Sequence, residues 1–75
     1  MDSELDPVML RVREIFEGSR LSMEELGQRM GYAPGAARSS AWQFLRKTKD
    51  PRLSMLRKFA TAVRFPLKAL FEVRP

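Results

Sequence analysis

Nonpolar residues recur at intervals of three and four along most of this chain, the spacing that places them on one face of an α-helix. No segment alternates nonpolar and polar residues as a half-buried β-strand would. Five prolines, each at a start or a break of the nonpolar pattern, divide the chain into short segments. These segments predict helices at about residues 7–18, 22–30, 36–46, 52–63 and 67–71. We therefore expect an all-α fold, with residues 1–75 forming a single compact five-helix bundle.

Capping signals mark the ends of several predicted helices. Asp6 suits the start of the first helix and Gly18 its end, while Asp50 has the short polar side chain needed to cap the fourth. Ser22 and Glu25 have the spacing of a capping box at the start of the second helix. The nonpolar stripes of the first, fourth and fifth helices predict a core of Val8, Val12, Ile15, Phe16, Leu53, Leu56, Phe59, Ala60, Val63, Leu67, Leu70 and Phe71.

The third predicted helix has two chemically different faces. Its small nonpolar face comprises Ala37, Ala41, Phe44 and Leu45. Its polar, basic and aromatic face comprises Arg38, Ser39, Trp42, Gln43 and Arg46. A short capped helix, a break and a second helix with a polar outer face together outline a helix-turn-helix, whose second helix lies in the DNA major groove. Gly27 either lets these two helices cross closely or merely weakens the helix that contains it.

Positive charge is concentrated in the later part of the chain. Residues 1–25 contain three bases and seven acids, a net charge of −4, whereas residues 26–75 contain eleven bases and two acids, a net charge of +9. A basic segment favours a polyanionic partner, most often nucleic acid, although a basic surface can also be simply solvated. The chain has neither cysteine nor histidine. It also shows no paired carboxylates, phosphate-binding loop or nucleophile–base set. We therefore expect no enzymatic activity, no cofactor and no metal site.

Two further features bear on location. No nonpolar run approaches the ~18 residues that a membrane-spanning helix needs. The opening residues MDSELDPVML lack the basic region and nonpolar run of a signal peptide. We therefore expect a cytoplasmic protein that does not engage a membrane.

Residues 8–71 resemble the lambda-repressor and Cro-type (XRE-family) helix-turn-helix domains in the order and spacing of four segments. LSMEELGQRMG is similar to the first helix of the motif, and SSAWQFLRKTKDPRLSMLRKFATAV to the recognition helix, the next loop and the fourth helix. FPLKALF is similar to the short fifth helix. The resemblance implies a repressor-like transcription regulator that binds double-stranded DNA as a homodimer, on half-sites about one helical turn apart. It also implies a phage or mobile-element regulator, or the antitoxin of a toxin–antitoxin pair.

The resemblance also assigns DNA contacts to individual positions. The positions that read bases or adjoining phosphates are Arg38, Ser39, Ser40 and Gln43. The positions that meet phosphates are Ser22, Arg46, Lys47, Lys49 and Arg52. The side-chain chemistry agrees, because glutamine can bond bidentately to adenine, arginine can do so to guanine, and lysine suits phosphate.

The chain departs from the family pattern in three places. Between Gly31 and the third helix it has about four more residues than the usual turn. These residues either lengthen the helix at its N-terminus or form a loop of their own. Met23 replaces the glutamine often found at its position, which removes a polar contact. Arg64 replaces the glycine that often ends the fourth helix, which predicts a strained or differently shaped turn.

Trp42, the single tryptophan, leaves a second function open. Its ring either stacks on DNA, packs in a protein interface or folds onto a neighbouring helix of the same chain. If the extra residues keep the third helix out of the groove, the domain is instead a protein–protein interaction module, with Trp42 as the centre of the contact.

Overall fold

Four α-helices and a short 3₁₀ helix make up most of residues 6–71, the part of the chain that the computed structural model describes. The α-helices are α1 (Pro7–Ser19), α2 (Met23–Arg29), α3 (Pro34–Lys47) and α4 (Leu53–Val63), and the 3₁₀ helix is Leu67–Phe71. Residues 6–71 form no strand. The all-α class is therefore confirmed, but the last element is a 3₁₀ helix rather than a fifth α-helix. Residues 1–5 and 72–75, which the single-domain prediction included, lie outside the described residues.

All five elements contribute to one hydrophobic core. α2 packs against α3 and α4, and α1 packs against α3, α4 and the 3₁₀ helix. Phe59 of α4 is fully buried, with its ring centroid 5.9 Å from that of Phe44 in α3. The core cluster comprises Met9, Val12, Ile15, Leu26, Met30, Ala41, Phe44, Leu45, Leu56, Phe59, Ala60, Ala62, Val63 and Leu70. Since α3 contributes three of these residues, its orientation is fixed by the core.

Two residues of the predicted core are exposed. The side chains of Leu53 and Phe71 are 50% and 48% accessible to solvent. Leu53 is the first residue of α4 and Phe71 is the last of the 3₁₀ helix. Each therefore has helical neighbours on one side only, and the prediction that they are buried is wrong.

The end of α1 lies one residue beyond its predicted position. Gly18 remains helical, and Arg20 takes the left-handed conformation that terminates the helix, with φ at 64°. The Ser19 hydroxyl donates to the Phe16 carbonyl at 2.6 Å and accepts from the Leu21 N–H at 3.2 Å. These two bonds hold the turn in place of the glycine that was expected to form it.

The sequence predicted the turn at the end of α4 but not the residue that caps its start. Asp50 does not cap the helix, because the N-cap residue is Arg52, which makes no side-chain capping bond. At the other end Arg64 has φ at 61°, and the Phe65 N–H donates to the Ala60 carbonyl at 3.0 Å. This is the hydrogen bond of a Schellman turn, normally built on glycine. The unusual turn predicted at Arg64 is therefore present.

Candidate nucleic-acid interface

α3 begins earlier than the sequence predicted, at Pro34 instead of about residue 36. Proline at the first helical position needs no hydrogen-bond partner, and its fixed φ suits a helix. The connection from α2 is confined to residues 30–33, in which Gly31 has φ at 102° and the Tyr32 N–H donates to the Gly27 carbonyl at 3.0 Å. Residues 34 and 35 thus extend α3 beyond its predicted start, and the helix has 14 residues. An α-helix of that length is about 21 Å long.

α2 crosses α3 at Gly27. A Cβ atom placed on Gly27 would lie 2.5 Å from the Ala37 carbonyl carbon and 2.8 Å from the Ala37 Cα. Only glycine permits this approach, so of the two alternatives left open for Gly27 the close crossing is the one present. Because Ala37 faces α2 and is fully buried, the opposite side of α3 is left to face solvent.

The start of α2 is closed by the predicted capping box. The Ser22 hydroxyl accepts from the Glu25 N–H at 3.0 Å, and the Glu25 carboxylate accepts from the Ser22 N–H at 2.9 Å. The Ser22 N–H, and after it the Ser22 hydroxyl, lower the pKa of Glu25. The Ser22 backbone donor is therefore occupied by the capping box. Met23, which follows it, is half-buried against the core.

Three of the four predicted base-reading residues lie together. Arg38, Ser39 and Gln43 are exposed on α3 and line one shallow depression with Gly35 and Trp42. The five positions follow the three- and four-residue spacing of a helix face. The structure therefore gathers these side chains on one surface, which we call the α3 face.

Ser40, the fourth predicted base-reading residue, lies to one side of the α3 face. It is half-buried and lines a groove between α3 and the start of α4, with Tyr32 and Met55. The Tyr32 hydroxyl donates to the Met55 sulfur at 3.7 Å. Gln43 lines both this groove and the depression on the α3 face, so its side chain lies between the two.

Trp42 is 45% exposed on the α3 face and is not among the partly buried residues that pack against the core. The Lys47 ammonium lies 5.7 Å from the centroid of its ring. A cation at that distance is attracted to the negative face of the ring, by about 0.5–1 kcal/mol at an exposed site. The contact restrains both side chains and brings a positive charge to the α3 face.

The predicted phosphate-binding cations follow the α3 face towards the C-terminus of α3. Arg46 and Lys47 form the basic last turn of the helix, and Lys49 and Arg52 lie in the connection to α4, all four exposed. Residues 26–49 contain five bases and no acid. The surface around α3 is therefore mainly cationic, with Asp50 as the carboxylate beside Lys49. The other carboxylates of residues 6–71 lie in or just before α1 and in the first turn of α2.

Three arginines have a structural role that sequence reasoning missed. The Arg13 Nε donates to the Leu45 carbonyl at 2.6 Å, which ties α1 to the last turns of α3. Arg11 and Arg29 bond carbonyls of the 3₁₀ helix and α4, each at 3.2 Å. All three lie beside or between core positions, where a long side chain can cross to a neighbouring helix. Arg38 and Arg46 also follow buried positions directly, so the sequence carries no signal that separates these three arginines from the cations around α3.

No family model, no curated protein and no solved structure matches this chain. Within residues 6–71, no helix is both long enough and nonpolar enough to cross a membrane. A functional proposal consequently depends on the geometry and charge of the α3 face.

Proposed function

We propose that this chain is a sequence-specific regulator that binds double-stranded DNA, with α2, residues 30–33 and α3 acting as a helix-turn-helix. The observation that supports it most strongly is the α3 face. It presents polar side chains from a helix whose opposite side is locked in the core, and cations continue it at one end. A helix held in this way can enter the major groove without rearrangement of the domain.

Arg38 and Gln43 are the proposed base-reading residues. Both are exposed, and their positions on α3 differ by five residues, which separates them by about 7.5 Å along the helix axis. Arginine can bond bidentately to guanine and glutamine to adenine. Ser39 lies between them, but its hydroxyl donates to the Ala36 carbonyl at 3.3 Å, so it is better placed to accept a hydrogen bond than to donate one.

Arg46, Lys47 and Arg52 are proposed to contact phosphates beside the groove, with Lys49 in the same connection and Ser22 at the start of α2. Each phosphate contact that releases a counterion adds about −0.9 to the slope of log affinity against log salt concentration. Binding should therefore weaken steeply as salt is raised. A homodimer on a palindromic site is part of this proposal.

The exposure of Trp42 favours a second candidate, a protein–protein interaction module such as an antitoxin-like partner-binding domain. Large aromatic side chains are enriched in protein interfaces. The two candidates differ in their dependence on salt and on DNA sequence, so one experiment separates them.

The test is selection of bound sequences from a random duplex DNA pool, followed by affinity measurements over a range of salt concentrations. We expect an enriched palindrome and a steep salt slope. A pool that shows no enrichment with folded protein, together with a slope near zero, would contradict DNA binding and favour the interaction module.

Two substitutions divide the roles within the proposed interface. Gln43→Ala should remove about 1–3 kcal/mol of discrimination at one base pair per half-site and leave nonspecific affinity nearly unchanged. Arg46→Ala should weaken binding to all sequences alike and reduce the salt slope by about one unit per bound copy. Lys68→Ala is the charge-matched control, because Lys68 lies on the 3₁₀ helix, which packs against α1 and α4. Equal effects of all three substitutions would contradict the assignment.

A further inference from the structure

The depression on the α3 face has a nonpolar interior, which base-edge hydrogen bonding does not require. Its walls are Gly35, Arg38, Ser39, Trp42 and Gln43, and the surface that it offers is mostly nonpolar. Gly35 contributes no side chain, and a Cβ placed there would meet nothing within 4 Å. The depression is therefore open at the Gly35 end and bounded at the other end by the indole ring of Trp42.

The largest nonpolar group that DNA presents in the major groove is the methyl group at C5 of thymine. Cytosine offers a methyl group at the same place only when it is methylated. The remaining major-groove edges are hydrogen-bond donors and acceptors, which would leave the indole ring of Trp42 without a matching contact. The cations around the depression attract the phosphates on either side, so duplex DNA is the occupant that fits both its charge and its nonpolar interior.

We propose that this depression is a receptor for the C5-methyl group of a pyrimidine, with Trp42 as the specificity-determining contact; the proposal rests on the DNA-binding function above. Arg38 lies one helical turn before Trp42 and lines the same depression. When its guanidinium bonds to guanine, the methyl group comes from a base at the next step. The chain is thus assigned a preference for thymine or 5-methylcytosine beside guanine.

Lys47 holds the ring of Trp42 in position for this contact. Its ammonium is 5.7 Å from the ring centroid, and it lies outside the residues that line the depression. Lys47 therefore restrains the indole ring without lining the depression into which the methyl group would fit. A restrained side chain loses less conformational freedom on binding than a freely rotating one.

The test uses the best site selected from the random duplex pool, with the full chain. Each thymine of that site is replaced in turn by uracil, which removes only the methyl group. At the sensitive position, cytosine is then compared with 5-methylcytosine. We expect one position per half-site, next to a guanine, at which loss of the methyl group weakens binding about fourfold, the effect of exposing one buried carbon. 5-Methylcytosine should bind more tightly than cytosine by a similar factor.

Two variants show whether the depression is responsible. Trp42→Ala removes one wall, and Trp42 is exposed enough that the fold should tolerate the change. Gly35→Leu fills the open end and leaves Trp42 in place. Both should bind uracil and thymine sites equally well.

The outcomes separate the two proposals. If wild-type protein binds a selected site with no methyl-sensitive position, the methyl receptor is wrong and DNA binding stands. If both variants keep the fourfold difference, the receptor lies elsewhere and the assignment to Trp42 is overturned. If no duplex is bound or enriched at all, the proposed function itself fails, and the methyl receptor fails with it.

Discussion

The crossing of α2 and α3 at Gly27 makes Gly27→Ala a direct test of the packing beneath the candidate interface. The added Cβ would meet the Ala37 carbonyl carbon at 2.5 Å and the Ala37 Cα at 2.8 Å, distances that real Cβ atoms essentially never show. Both atoms belong to the backbone of α3, which cannot rotate away as a side chain can. α2 and α3 must therefore separate, and the core between them must loosen.

The expected cost follows from two opposing effects. Overpacking of a core costs about 1–3 kcal/mol, and the upper part of that range applies here because the clash is with backbone. The better helix propensity of alanine offsets about 1 kcal/mol. We expect a net loss of about 2 kcal/mol in the free energy of unfolding. For a domain of this size, that lowers the melting temperature by roughly 8–16 °C.

The assay is urea unfolding followed by far-ultraviolet circular dichroism, with Gly18→Ala as the matched control. Gly18 is also helical, but a Cβ there meets nothing within 4 Å. The control should be neutral or stabilising by up to about 1 kcal/mol. If Gly27→Ala unfolds at the same urea concentration as Gly18→Ala, the two helices do not cross at Gly27, and the packing of α3 on α2 described above is wrong.

Three further predictions concern the core, the turn after α4 and the capping box. Phe59→Ala should cost about 3–5 kcal/mol, because Phe59 is fully buried, and a melting temperature within a few degrees of wild type would refute this. Arg64→Gly should raise the urea midpoint, because glycine adopts a φ of 61° without the strain an arginine carries; a lower midpoint would contradict it. The pKa of Glu25 is lowered by the Ser22 N–H and then its hydroxyl, so this stabilisation is present above the unfolded-state pKa and lost as pH falls through the folded one. The melting-temperature advantage of wild type over Glu25→Gln should therefore shrink as pH falls below 4.5, the ordinary glutamate value, and an advantage independent of pH would argue against the capping box.

Local sequence patterns predicted the features that depend on neighbouring residues. The capping box of Ser22 and Glu25 is an example, since its partners are three residues apart and need no tertiary contact to meet. The position of Trp42 on the polar face of α3, away from Ala37, also followed from periodicity, whereas the exposure of its ring had been left open. Helix class, approximate helix positions and the polar side of α3 were therefore predictable.

Features that depend on tertiary packing were not predictable in the same way. A proline such as Pro34 can either break the chain before a helix or occupy the first position of that helix. The packing of α3 on α2 places Pro34 at the first helical position. The bond from Arg13 to the Leu45 carbonyl joins residues 32 apart in sequence, and no local pattern indicates it. The nonpolar depression beside Trp42 likewise exists only because Gly35 is helical and lies on the same side of α3.

The location of the single tryptophan means that the chain carries its own optical reporter. Trp42 is already 45% accessible in the folded state, so unfolding changes the environment of its indole only modestly. A ligand seated on α3, in contrast, would exclude water from the ring, which the Lys47 ammonium holds in position. Intrinsic fluorescence should consequently respond more to occupancy of the α3 face than to denaturation. It can follow titrations without a label, whereas melting has to be followed by a signal from the helical backbone.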